Sequence, residues 1–494
     1  MSSGKPKKKT PRKPPAWLYV PLIWLCGLYL KLFYGLKIDN GATKGVKAPV
    51  LVLSNRQSDL DFLVVPAAVL PLRLKLMAGA YFCDSRFLSG LLKWGKAIPK
   101  EQLMSDSSAV RGALRAAAAG CNVALFPEGQ ACAYGAGGEV DDRIAKLIKK
   151  LGIPVVNIAI RGNFLTCPTY AAGRRPANRG RIECTASLLF TAEEIKETAV
   201  GELAQKTKTA LAFNEFEWQR RHMIPYRPAR RSTAGLENVL FRCAACGAYF
   251  TMKSERNRLE CGQCGYSVLQ NRYGFFEDAK GGPLFFDNPA DWYLTQREEL
   301  ARRLEKEELL PVAAPCALYK TVKGKQGYAL CGQGNMTLNE EGLFFEDQKE
   351  GGPFRLATLY KRQTLLMHSA KYSAINVRGE GENFLLRPAE DRMMLYLVEL
   401  YSLARRWVQE KNERQRLEAL KQEELIRQEE LREQKEKEEQ EQKKEKKAPT
   451  KRKKRKTTDK QQVSKKQTPQ ELSEKPQPSP EKQSDEKDPA GNTD

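Results

Sequence analysis

The residues best equipped for chemistry fall into three groups: Asn55, Arg56 and Asp61 within Leu51 to Phe62; Glu128 and Gly129 further on; and Cys243, Cys246, Cys261 and Cys264. An arginine five positions before an aspartate can pair with it, or can clamp a phosphate with its planar fork of N–H donors. A guanidinium cannot act as a proton acceptor near neutral pH, because its pKa exceeds about 12. The four cysteines make two Cys-x-x-Cys knuckles separated by 14 residues, with Gly247 and Gly265 directly after each pair. Four thiolates complete the tetrahedral shell that zinc prefers and leave no position open for water or substrate, so the predicted role is structural. Two disulfides are the alternative, disfavoured if this part of the chain is cytosolic.

These side chains need strands and turns to hold them. Pro49 to Leu53 is an apolar run that reads as a buried strand, broken by the polar elbow Ser54 to Asp59 before a helix-like run begins at Leu60. Asn122 to Phe126 repeats the design and ends at Pro127-Glu128-Gly129. Ligands in open α/β sheets sit outside the carboxyl ends of strands, so the two elbows are expected to wall one site. Between them, Leu60 to Leu76 and Phe82 to Gly95 are apolar and read as core. Asp106-Ser107-Ser108 is expected to cap a helix over Ala109 to Ala119 that Gly120 closes. After the glycine-rich Tyr134 to Gly138 come a helix Glu139 to Leu151, strands Ile153 to Ile160 and Ile182 to Phe190, and a closing helix from Ala192 to about Trp218. Strand and helix in alternation predict an α/β domain with a largely parallel sheet.

The first elbow resembles the N-H-x-x-x-x-D block of glycerolipid (1-acylglycerol-3-phosphate) acyltransferases, and Phe126 to Gly129 resembles the start of their F-P-E-G-T-x-S block. Gly95 to Lys100 is similar to a weak second block and Ile153 to Ala159 to the fourth, in the family's order, over residues 17–215. The resemblance implies acyl transfer from a thioester, on coenzyme A or acyl carrier protein, to the hydroxyl of a lysophospholipid. It gives Asp61 the role of orienting acid, and places Asn55, Lys100, Glu128 and Gly129 around the acceptor. It also puts Arg56 where the family has its general-base histidine, and no histidine precedes His222. Lys100 and Gln130 are further departures. General-base catalysis contributes about two to four orders of magnitude, so impaired transfer is the expectation. The alternatives are a substitute base such as Asp59 or Glu128, or an inactive fold that binds lipid as a membrane scaffold.

The remaining organisation follows from composition. A chain of 494 residues with 41% hydrophobic content exceeds one core. The net charge of +23 is concentrated at the ends, in Lys5 to Lys13 and Lys451 to Lys456. Trp17 to Leu36 is apolar apart from Lys31, long enough to span a bilayer. Reduced, metal-binding cysteines downstream favour a helix lying in the cytoplasmic leaflet, with a single spanning pass as the alternative. The expected units are a basic arm (1–16), a membrane-associated helix (17–37), the acyltransferase-like domain (38–220), a zinc ribbon (238–290) and a helical linker (291–310). An antiparallel module (311–408) follows, then a charged helix (409–447) and a disordered tail (448–494). Several short strands between Cys316 and Pro388, closed by a helix Ala389 to Trp407, resemble a pleckstrin-homology or GRAM-type module, which would bind phosphoinositides or a protein. Nucleic acid is the weakest partner, because the basic runs carry no interleaved aromatics.

Overall fold

The computed structural model describes residues 11–79, 94–101, 106–171, 178–227, 232–321, 328–347, 355–360, 367–369, 374–379 and 382–445. Residues 1–418 form one compact unit, and residues from 419 onward form a second, described here as a helical segment to Glu445. The basic clusters Lys5 to Lys9 and Lys451 to Lys456, the Phe82 to Gly90 stretch and the expected disordered tail lie outside the described residues.

The N-terminal sheet has strands β1 (Lys37–Asp39), β2 (Leu51–Ser54), β3 (Leu74–Gly79), β4 (Ile98–Lys100), β5 (Asn122–Leu125), β6 (Val155–Arg161) and β7 (Glu183–Phe190), in the order β1-β7-β6-β2-β5-β3-β4. All neighbours are parallel except β6 and β7. Strands β2 and β5 are buried along their whole length, as central parallel strands covered on both faces must be, which is why their sequences are continuously apolar. The order sets the carboxyl ends of β2, β5 and β4 on one edge of the sheet. Asp106 caps Ser107–Ala118 as the sequence predicts, accepting from the N–H groups of Ser108 and Ala109. Two helices differ from expectation. The helix expected from Glu139 starts at Arg143, because Glu139 instead pairs with Arg297 and Arg406. The long closing helix is three pieces, Ala192–Glu197, Val200–Leu211 and Glu215–His222, each restarted by its own cap or bend.

The apolar N-terminal segment is a helix, Ala16–Tyr34, ended by Gly35 in the left-handed conformation. One side packs on the domain: Tyr19, Ile23 and Leu30 are buried, Gly27 faces Ala67, and the Tyr19 hydroxyl accepts the Leu74 N–H. The other side leaves Trp17, Trp24, Leu25, Leu32 and Phe33 exposed.

Beyond it, β8 (Met252–Glu255), β9 (Arg258–Cys261), β10 (Ser267–Gln270) and β11 (Phe276–Asp278) make a four-stranded antiparallel ribbon. The expected linker is a helix, Pro289–Glu305, and it is a core element: Trp292, Tyr293, Leu300 and Leu304 are buried. A second seven-stranded sheet is antiparallel throughout, in the order β15 (Arg355–Leu359), β14 (Gly342–Asp347), β13 (Tyr328–Leu338), β12 (Val312–Thr321), β18 (Glu382–Pro388), β17 (Ala374–Gly379), β16 (Met367–Ser369). The closing and charged helices expected after it are one helix of 53 residues, Met393–Glu445. Its first turns bury Leu397, Leu400, Tyr401 and Ala404. Ribbon, core helix, antiparallel sheet and these first turns share one hydrophobic cluster with Phe164, Phe213 and Phe216 of the α/β domain.

Candidate active site

The elbow after β2 is built by side chains that reach back to the backbone. The Asn55 side chain grips β6 at both ends: its Nδ2 donates to the Ile160 carbonyl at 3.0 Å and its Oδ1 accepts the Ile160 N–H at 2.8 Å. Its amide therefore positions the elbow. Gln57 does similar work two residues later, accepting the Asn163 and Phe164 N–H groups through Oε1 and donating from Nε2 to Glu215 at 2.7 Å. Asn55, Gln57, Asp61, Asn163 and Glu215 are each at most 1% exposed, so this polar network sits wholly inside the protein.

Asp61 opens the helix Asp61–Ala68 and turns its carboxylate back onto the elbow. Oδ2 accepts the N–H groups of Gln57 at 2.7 Å and Ser58 at 2.9 Å, and Oδ1 accepts Asn163 Nδ2. Burial pushes its pKa up to about 7, against the pull of these donors and of the Arg56 charge. The Glu215 carboxyl is raised to about 7 for the same reason.

Arg56 is buried at 4% exposure, and of the two acids its spacing allows, its ion pair is with Asp59, not Asp61. Its guanidinium comes within 3.8 Å of Asp59 and lies over the rings of Phe62, 4.6 Å from the centroid, and Phe126, 5.5 Å away. The reason is local: the elbow's own N–H groups and Asn163 already fill the Asp61 oxygens. The backbone of Arg56 joins the two elbows, its N–H donating to Glu128 Oε1 at 3.0 Å and its carbonyl accepting the Cys132 N–H. The second Glu128 oxygen accepts the Gly138 N–H, so both are engaged, and burial raises the carboxyl.

The sheet order thus brings Arg56, Lys100 and Gly129 to one pocket, together with Phe62, Met77 to Gly79, Leu125 and Phe126. Gly129 takes φ +79° at its mouth. Lys100, half-buried, has its pKa lowered first by burial and then by the Arg143 charge. Two cations, Arg56 and Lys100, thus share one small pocket with an apolar wall. Of the two histidines, His222 stacks on Trp218 and bonds the Trp218 carbonyl within its own helix.

This geometry coincides with the segment matched by the family model described as Acyltransferase, residues 37–161. Residues 37–161 form an acyltransferase-like domain. No curated protein matches the chain. Among solved structures, the 1-acyl-sn-glycerophosphate acyltransferase PlsC of Thermotoga maritima is similar at 15% identity over 39% of this chain and 76% of that one, with a TM-score of 0.34. The Ran-binding domain of the nuclear complex component Nup2 of Ashbya gossypii is similar at 13% identity over 19% of this chain and 93% of that one, with a TM-score of 0.17. Gln57, Asn163 and Glu215, which hold the acyltransferase domain's elbow, were not singled out in the sequence. A lone Gln, Asn or Glu carries no signal until the fold brings it inside.

The four ribbon cysteines converge as their spacing predicts. Their sulfurs lie within 4.8 Å of one another, Cys243 to Cys264 at 3.8 Å and Cys246 to Cys261 at 3.9 Å. Those separations are far above the roughly 2.05 Å of a disulfide and match the edges of a tetrahedron about an ion bonded at about 2.3 Å. The donor set therefore fits one structural zinc, held by four thiolates.

Proposed function

We propose that the chain is a membrane-docked member of the glycerolipid acyltransferases whose elbow binds an acidic acceptor such as 1-acylglycerol-3-phosphate, and in which acyl transfer is strongly impaired. One observation carries the reading: the position that should abstract the acceptor's hydroxyl proton holds a buried guanidinium over Phe62 and Phe126. It cannot take a proton, and with Lys100 it supplies positive charge for a phosphate instead. Asp61 is then left without a base to orient. The substitute bases fit poorly, since Glu128 spends both oxygens on backbone N–H groups and Asp59 points to solvent beside Arg56.

In this reading the donor is an acyl thioester of coenzyme A or acyl carrier protein. The exposed apolar side of helix Ala16–Tyr34 lies in the cytoplasmic leaflet, zinc holds the ribbon, and the antiparallel sheet with its helix is a pleckstrin-homology-like module that engages a protein or a phosphoinositide. The deciding assay gives purified protein lysophosphatidic acid and labelled acyl coenzyme A. Wild type is expected at background and Arg56→His above it. Robust wild-type turnover that survives Arg56→Ala would overturn the proposal in favour of another base. Labelling of an engineered cysteine in the domain from outside intact cells would overturn the cytoplasmic placement.

A further inference from the structure

A second concave site lies away from the elbow, where the end of the N-terminal helix meets two distant segments of the chain. The backbone builds it. The Arg227 N–H donates to the Arg179 carbonyl at 2.8 Å, and the Tyr226 N–H donates to the Arg272 carbonyl at 2.8 Å, so three segments are tied side by side. The Tyr226 hydroxyl donates to the Arg181 carbonyl at 2.8 Å. Glycines let these pieces close up: a Cβ on Gly180 would sit 2.1 Å from the Tyr226 ring, and one on Gly35 would sit 2.6 Å from the Gly180 carbonyl oxygen. The result is a groove of about 650 Å³ lined by Lys31, Arg179, Arg227 and Arg272 and floored by Tyr226, with Leu32 and Phe33 at its rim.

Four cations line this groove, and no carboxylate does among the described residues. All four side chains are exposed, with Arg179 over the Phe33 ring and Arg272 over Tyr273. The nearby carboxylate of Glu183 is already paired with Arg181 at 2.9 Å. Like charges would not be held together by backbone ties around a cavity without cost, and an anion relieves that repulsion. Leu32 and Phe33 belong to the exposed apolar side of the helix, so the groove opens at the level where that side would leave the hydrocarbon.

We propose that this groove is a headgroup site for an anionic phospholipid of the bilayer, separate from the acceptor pocket at the elbow, with which it shares no lining residue. The inference rests on the reading that helix Ala16–Tyr34 lies in a membrane. Arginines fork onto the phosphate while Leu32 and Phe33 contact the acyl chains, so one lipid fixes the rotation of the whole protein on the surface. Because Arg272 comes from the ribbon, the site also ties the ribbon to the membrane face.

The test uses full-length protein and vesicles of phosphatidylcholine with and without phosphatidylglycerol. Wild type should prefer the phosphatidylglycerol vesicles. Arg179→Glu/Arg227→Glu/Arg272→Glu, which leaves the backbone ties intact, should bind them roughly 10- to 100-fold more weakly. A control that reverses three exposed cations elsewhere, Arg111→Glu/Lys146→Glu/Lys150→Glu, should lose far less. Equal losses in the two triple variants would reduce the effect to net charge and overturn the site. Binding of free glycerol 3-phosphate that is lost in the groove variant would make the ligand a soluble phosphate and overturn the bilayer assignment. Indifference to both kinds of vesicle would remove the membrane reading itself, whereas binding that ignores phosphatidylglycerol removes only the groove.

Discussion

At position 56 the shape of the elbow and its proposed chemistry can be tested separately. The elbow does not depend on Arg56 for its shape, because Asn55, Gln57 and Asp61 pin it through their own hydrogen bonds to β6, the Asn163 turn and the elbow amides. Arg56→His is therefore expected to fold normally, and thermal unfolding should show a midpoint close to wild type while acyl transfer rises by up to about two orders of magnitude. Arg56→Ala should lower affinity for lysophosphatidic acid without creating activity, which titration of the lipid would read. The buried acids give a second prediction. The folded protein holds the Glu215 carboxyl at about 7, above its ordinary 4.5, so the folded state binds that proton more tightly than the unfolded one. The contribution is complete below about pH 4.5 and is lost as pH rises through about 7. Glu215→Gln keeps an acceptor for Gln57 and removes the titration. The stability difference between wild type and Glu215→Gln, followed by denaturant unfolding from pH 4.5 to 8, should shift by about 3 kcal/mol at most in favour of the variant. A flat difference would show that Glu215 ionises normally.

Elements are held by what their termini and faces meet. The ribbon strands are only three or four residues long and bury few apolar groups, chiefly Met252, Leu259, Val268 and Phe276. So small an element needs a staple. Purified protein should carry about one zinc per chain. Chelation or Cys261→Ser should lower the unfolding temperature, and a metal-free protein of unchanged stability would refute the site. For the N-terminal helix, Trp24→Glu/Leu25→Glu places charge on its exposed side without touching the buried Tyr19, Ile23 and Leu30. Binding to neutral phosphatidylcholine vesicles should fall roughly tenfold or more, given the apolar area removed. Unchanged binding would move the anchor elsewhere.

At the scale of the molecule, the shared core predicts shared stability. Trp292 and Tyr293 are fully buried, Trp292 Nε1 donates to the Arg242 carbonyl, and Tyr293 donates to Glu399, which also pairs with Arg297. Trp292→Ala should cost about 3–5 kcal/mol and lower the unfolding transition of ribbon and antiparallel sheet together, as seen in the hydrogen exchange of both. Removal of residues 419–494 should leave that transition in place, because residues 1–418 contain the whole cluster.

The sequence alone determined what depends on local pattern: the parallel strands β2, β5 and β6 from their apolar runs, the Asp106 cap, the cysteine knuckles, and the presence of an arginine at position 56. Each is a matter of residue type and spacing within a few turns of chain. Only the tertiary structure decided where charges point. Asp61 is filled by backbone N–H groups and Asn163, from 102 residues away, so Arg56 turns to Asp59 and the aromatic rings. A stretch read as a linker becomes a core helix, because its apolar face meets the ribbon and the final helix. Hydrogen bonds and burial between distant segments have no one-dimensional signature, and those contacts set both the geometry of the elbow and the basic groove beside the N-terminal helix.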